Sequence, residues 1–157
     1  MWLRLRGVQQ VKVPVSDLQA SVDWYCRFLE LRVVREFVEA GVLAGATLFS
    51  DRSGLMLSLR RRDRVPGSPS FAGFDLFSVG VEGLEDLEAI IARAETLGAT
   101  CSEVVDRGPD GHHLDVTDPD GTHIRFLTPF APGWATFGGV EFDGDGFPSF
   151  YSEPRLR

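Results

Sequence analysis

Arg125 and His123 stand two positions apart behind the turn Asp118-Pro119-Asp120-Gly121, in a stretch that alternates as a strand. Pro and Gly supply the turn; Thr122, Ile124 and Phe126 share one face, and His123 and Arg125 share the other. A guanidinium binds a carboxylate, phenolate or enolate through a fork of donors, with no proton to gain or lose. A histidine close to it can serve as general base near neutral pH, and His113, just before the turn, is a second candidate. The competing role for Arg125 is structural: an ion pair with Asp115, Asp75 or a carboxylate of the tail, since a buried guanidinium requires a partner. The two readings carry equal weight from sequence.

The elements that must position these groups follow from periodicity. Residues 10–15 alternate as a half-buried strand, with Val11, Val13 and Val15 on one side and Gln10 and Lys12 on the other. Ser16-Asp17 opens a helix, with Gln19 as a capping-box partner of Ser16, and Leu18, Val22, Tyr25, Phe28 and Leu29 form its apolar stripe. Strands are predicted at Leu31–Val38, Val42–Ser50 and Leu55–Arg60. The order then restarts: a strand at Phe74–Val81, a helix at Leu84–Leu97 with Gly98 as its cap, and strands at Thr100–Asp106, His113–Thr117 and Thr122–Leu127. Leu84, Leu87, Ile90, Ile91, Ala94 and Leu97 form the inner face of that second helix. Asp75 is expected on the helix-facing side of its strand. The cluster Arg60, Arg61, Arg62 and Arg64 reads as a solvated face. The tail holds one short strand around Val140–Phe142.

Val15 and Gly54 are 39 positions apart and Val81 and Gly121 are 40, which brings the two Asp-containing turns into register. The chain is therefore a duplicated βαβββ unit: 1–61 and 74–128 as modules, 62–73 as linker, 129–157 as a C-terminal extension, all one domain. The predicted fold class is α+β, with two βαβββ modules forming a curved mixed sheet around a cup-shaped cavity. The repeat makes Gln10 equivalent to Leu76 and Ser58 equivalent to Arg125. Lys12, Ser78, Met56 and His123 fall on the same faces. Trp134, in the tail, is placed to cap the cup, while Trp24 belongs to packing.

Bulk properties narrow the function. With 157 residues, 43% of them apolar and 25% charged, the chain can bury one good core. A net charge of −7 argues against sequence-independent nucleic-acid binding. There is no apolar run of membrane-spanning length, no leader is expected from the charged start, and two cysteines, Cys26 and Cys101, carry no CxxC. A reducing cytoplasm with two neutral thiols is the expected setting.

The segments Val13-Pro14-Val15-Ser16-Asp17-Leu18, Ser21-Val22-Asp23-Trp24-Tyr25, Leu29-Glu30-Leu31, Phe74-Asp75 and Asp118-Pro119-Asp120-Gly121 resemble the vicinal-oxygen-chelate superfamily. That superfamily includes glyoxalase I, bleomycin-resistance proteins, extradiol dioxygenases and fosfomycin-resistance enzymes, and the resemblance covers about residues 9–128. It implies a homodimer with small-molecule cups. In metal-dependent members it also implies an ion held at four positions, usually by His on the first strands and Glu on the last. Carried onto this chain, those positions are Gln10, Ser58, Leu76 and Arg125. Leu76 has no donor atom and Arg125 carries a fixed cation, so no metal and no other cofactor is expected. A shifted site from His113, His123 and Asp115 is the alternative, against the simpler reading of surface or hydrogen-bonding histidines.

The function expected is binding of a small organic molecule in the cup, with Gln10, Lys12, Met56, Ser58, Leu76, Ser78 and Trp134 as ligand contacts. The alternative is a metal-independent lyase, isomerase or oxygenase on an aromatic or carbonyl substrate, with Arg125 as electrophile and His123 or His113 as base. A conventional metal-dependent glyoxalase or dioxygenase is the third. Whether the protein is an enzyme is left open between them, and neither nucleic acid nor membrane is an expected partner.

Overall fold

The computed structural model describes residues 3–133 and 138–156; Trp134 lies outside them. The chain runs β1 (Val11–Val15), α1 (Leu18–Leu29), β2 (Arg32–Glu39), β3 (Val42–Phe49) and β4 (Met56–Arg61), then β5 (Asp75–Gly80), α2 (Leu84–Leu97), β6 (Val105–Asp106), β7 (His112–Thr117) and β8 (His123–Leu127). The same order appears twice, and so does the same strand arrangement: β1-β4-β3-β2 and β5-β8-β7-β6. In each sheet the first strand runs parallel to the last and the other neighbours are antiparallel. The fold is α+β as expected, built from two four-stranded mixed sheets.

One core serves both repeats. Val13, Val15, Leu48, Leu57 and Leu59 of the first sheet and Leu114, Val116, Ile124 and Phe126 of the second join Tyr25 and Phe28 of α1 and Leu87 and Ala94 of α2. Each strand therefore spends its apolar alternation on the helix side and leaves its polar positions for the opposite, concave face. Trp24 stacks on Phe28 at 4.9 Å between ring centroids, within this packing.

Local details depart from the sequence reading in instructive ways. Asp17, not Ser16, caps α1: the helix begins at Leu18, which puts Asp17 at the capping position, and its carboxylate accepts the Ala20 N–H at 3.0 Å. Leu84, at the first position of α2, is half exposed, since the helix turns its inner face to the core only from Leu87 onward. The segment expected as a strand from Thr100 pairs only through a bridge at Cys101 and through β6. The tail forms a hairpin of β9 (Gly139–Phe142) and β10 (Pro148–Tyr151), turned at Asp143, whose carboxylate accepts the Asp145 and Phe147 amides. Both cysteines are free.

Of the arginine cluster only Arg64 stands as a solvated side chain; the other three are paired. Arg60 pairs with Glu39, Arg61 with Asp63 and Arg62 with Asp120. The Asp120 carboxylate also accepts the Ser16 N–H at 3.0 and 3.1 Å, so the segment between the modules is tied down at both the first helix and the second turn.

Candidate functional site

Strand register places the polar residues of the first sheet in rows. Lys12 on β1 is opposite Ser58 on β4, Ser58 is opposite Thr47 on β3, and Thr47 is opposite Arg35 on β2. Four residues on one rung share a face, here the concave one. In the second sheet the corresponding rung is Ser78 on β5, Arg125 on β8 and Asp115 on β7. The repeat alignment thus survives at residue level: Lys12 matches Ser78, Ser58 matches Arg125 and Thr47 matches Asp115.

The two rungs differ in chemistry. Arg125 donates from Nε to Oδ1 of Asp115 at 2.9 Å and from Nη2 to Oδ2 at 3.0 Å, a two-pronged pair. Its Nη1 lies 2.7 Å from Oδ2 of Asp75. Asp75 reaches this side because β5 bulges at Leu76: Asp75 pairs with His123 and Phe77 with Ile124, so the extra residue turns the carboxylate from the helix side to the concave side. The hydrogen bonds that Arg125 donates to Asp115, and the charges of both carboxylates, hold its guanidinium even more firmly protonated than usual.

His113, on the same face as Asp115, is buried, and burial together with Arg125 holds its imidazole below the ordinary histidine value. His123 shares a hydrogen bond of 3.1 Å between Nδ1 and the Thr117 hydroxyl. His113 pairs with Leu127 and His123 with Thr117, four residues along the ladder, so the two are separated by about 13 Å of strand. They do not converge. Among the described residues no group of three or more His, Cys, Asp or Glu side chains could hold a metal ion.

In the first sheet the concave face encloses a cavity of about 350 Å³, lined among others by Gln10, Lys12, Arg35, Thr47, Met56 and Ser58. Ser58 donates to Oε1 of Gln10 at 2.9 Å, and the Thr47 and Ser58 hydroxyl oxygens lie 3.2 Å apart. Ser58 and Thr47 are buried, whereas Gln10, Lys12 and Arg35 reach into solvent. A second cavity of about 330 Å³ shares Gln10 and Met56 and extends to Phe77 and Ser78 of the second module. A third, of about 230 Å³, takes over at Ser78 and runs to Pro129 and Phe130. Arg125, His113, His123 and Leu76 line none of these three; Leu76 is half-buried against the core.

Six of the ten residues singled out from sequence therefore come together: Gln10, Lys12, Met56, Ser58 and Ser78 along the cavities, and Arg125 beside Ser78 in register. Arg35, Thr47 and Phe37 escaped notice. Thr47 interrupts an apolar strand at an outward position, which was the available signal; Arg35 becomes visible only once register is known.

The four positions at which the resemblance implies a metal do not form a donor set. Gln10 and Ser58 offer neutral oxygens, Leu76 offers nothing, and Arg125 brings a cation already matched by two carboxylates.

Solved structures share the fold. A glyoxylase/bleomycin resistance protein/dioxygenase domain from Frankia sp. EAN1pec superposes with a TM-score of 0.67 at 24% identity, covering 82% of this chain and 95% of that one. TnmS3, an antibiotic binding protein from Streptomyces sp. CB03234, superposes with a TM-score of 0.62 at 20% identity, covering 82% and 99%. Lactoylglutathione lyase from Agrobacterium tumefaciens gives 0.63 at 15% identity, covering 80% and 96%. No curated protein matches at a significant level. The model of the Glyoxalase/Bleomycin resistance protein/Dioxygenase superfamily matches residues 7–126, and the chain belongs to that superfamily.

Proposed function

We propose that this protein binds a small organic molecule on its concave face and does so without a divalent metal. The observation that carries the reading is the state of Arg125. At a position where metal-dependent relatives are expected to place an acid, the chain has a guanidinium whose three nitrogens all meet carboxylates. A charge held in that way closes its own site and leaves the neighbouring cavity, lined by Gln10, Lys12 and Ser58, to do the binding. The description of TnmS3 as an antibiotic binding protein is in keeping with this, although that neighbour speaks for itself alone. Catalysis by Arg125 would require it to release a carboxylate to substrate, at the cost of a charge-assisted pair.

Metal analysis of purified protein, followed by ligand titration before and after chelation, tests the proposal. The expected result is no stoichiometric metal and binding that chelation leaves unchanged. Stoichiometric iron, manganese, zinc or nickel, or binding lost with chelator and restored by metal, would overturn it.

A further inference from the structure

The hydrogen-bond directions in the first module's cavity identify the kind of molecule it takes, on the footing of the binding function just proposed. The single hydroxyl proton of Ser58 goes to Oε1 of Gln10, so the contact between Thr47 and Ser58 must be donated by Thr47. The relay Thr47 to Ser58 to Gln10 fixes the amide with its oxygen inward. Its Nε2, a pure donor, has no partner among the described residues and is left to the cavity.

The same cavity is lined by two cations without a carboxylate. Lys12 and Arg35 stand at the two ends of the rung, and neither forms an ion pair among the described residues. Arg60, which also lines the cavity, is paired with Glu39. In a chain with 23 acidic against 16 basic side chains, two unmatched cations flanking a donor amide form a local reversal of sign. The second module carries the opposite bias, since Asp75 and Asp115 together outweigh Arg125. Phe37 and Met56 supply apolar wall.

We infer that the ligand is a small organic anion with an apolar body, of the carboxylate class. Its acid group is held by Lys12, Arg35 and the Gln10 amide, and its body lies along Phe37 and Met56. A carboxylate is recognised by donors, and the charged and amide groups left free in this cavity, Lys12, Arg35 and the Gln10 Nε2, are donors. A cationic ligand would meet like charge at both ends.

Three probes of one shape separate the possibilities: 2-naphthoate, 2-naphthylmethanol and 2-naphthylmethylammonium. Each is titrated into the whole protein at low salt, with amide shifts mapping where it binds. The expected order is naphthoate tightest, by at least about tenfold over the ammonium compound, with shifts at Thr47, Met56 and Ser58. Lys12→Met and Arg35→Met should each weaken naphthoate by about threefold to tenfold and leave the alcohol unchanged, and added salt should weaken naphthoate alone. Both side chains are exposed, so neither variant should unfold the protein, and circular dichroism checks this. Alcohol and ammonium binding as well as naphthoate, or naphthoate indifferent to both substitutions, overturns the anion assignment while the binding function stands. Failure of all three probes to bind in the cavity overturns both.

Discussion

The Tyr25 hydroxyl donates a 2.8 Å hydrogen bond to Oδ2 of Asp118, joining α1 of the first repeat to the turn of the second across 93 positions of sequence. Both groups are buried. Burial pushes the Asp118 carboxyl up, against the opposing pull of its bonds from Tyr25 and the Thr122 and Asp120 amides. It also pushes the Tyr25 phenol far above its usual range, and the Asp118 charge adds to this. Tyr25→Phe should cost about 1–3 kcal/mol, the penalty for a buried carboxylate short of one donor, measured by urea unfolding at neutral pH. The pH dependence has a definite sign. A carboxyl raised on folding binds its proton more tightly in the native state, so stability falls as pH rises from the ordinary Asp value through the raised one. In Tyr25→Phe that fall should extend to higher pH, and in Asp118→Asn it should vanish.

Arg125 and His113 are electrostatically coupled across the second sheet. Burial lowers the His113 value first and the Arg125 charge lowers it further. A base depressed on folding contributes stability that is complete above its ordinary value of 6.5 and is lost as pH falls below it, because the unfolded chain then takes up the proton first. Arg125→Met removes the cation and leaves Asp75 and Asp115 unmatched. The His113 midpoint followed by NMR should rise, and stability should drop by about 1–3 kcal/mol. An unchanged midpoint would mean that the Arg125 charge does not reach His113.

Asp120 is the other link between repeats. Asp120→Ala leaves the Ser16 amide and Arg62 without their acceptor and should cost about 1–3 kcal/mol in unfolding free energy. Arg62→Lys keeps the charge opposite Asp120, where the guanidinium makes a single contact through Nη2, and should cost less than Arg62→Ala. Equal losses for Arg62→Lys and Arg62→Ala would assign the effect to geometry rather than charge.

The duplication was legible because each repeat keeps the same strand alternation and nearly the same spacing. α2 was read at its observed bounds, Leu84–Leu97, since its apolar spacing spans those residues and Gly98 punctuates its end. The pairing of Ser58 with Arg125 followed from counting, and the register agrees. What sequence could not supply was the bulge at Leu76. One extra residue reverses the face of Asp75, and no local pattern distinguishes a bulged strand from a straight one. Asp75 thus read as a helix-side residue and stands instead as the second carboxylate partner of Arg125. The role of Arg35 was hidden for a related reason: β2 pairs with β3 through two irregularities, so the rung that brings Arg35 to Thr47 depends on where those fall. The arginines after β4 looked like a solvent-facing run because their acceptors, Glu39 and Asp120, are distant in sequence.

Gly45 sets how closely β3 approaches β4 beside the proposed anion site. It lies opposite Phe37 on β2 and Arg60 on β4, two rungs from Thr47. A Cβ built at Gly45 would come within 2.5 Å of the Leu59 carbonyl oxygen and 2.8 Å of the Arg60 Cδ. The side chain of Arg60 can move, but the carbonyl belongs to the sheet ladder and cannot. Gly45→Ala should therefore push β3 away from β4, at a cost of about 1–3 kcal/mol in thermal or urea unfolding. The shift would carry Thr47 off Ser58 and loosen the relay that orients Gln10. Naphthoate affinity should fall with it, whereas the Tyr25 to Asp118 link, on the far side of the core, should keep its pH signature. If Gly45→Ala matches the parent in both stability and naphthoate binding, the close approach of these strands is not what shapes the cavity.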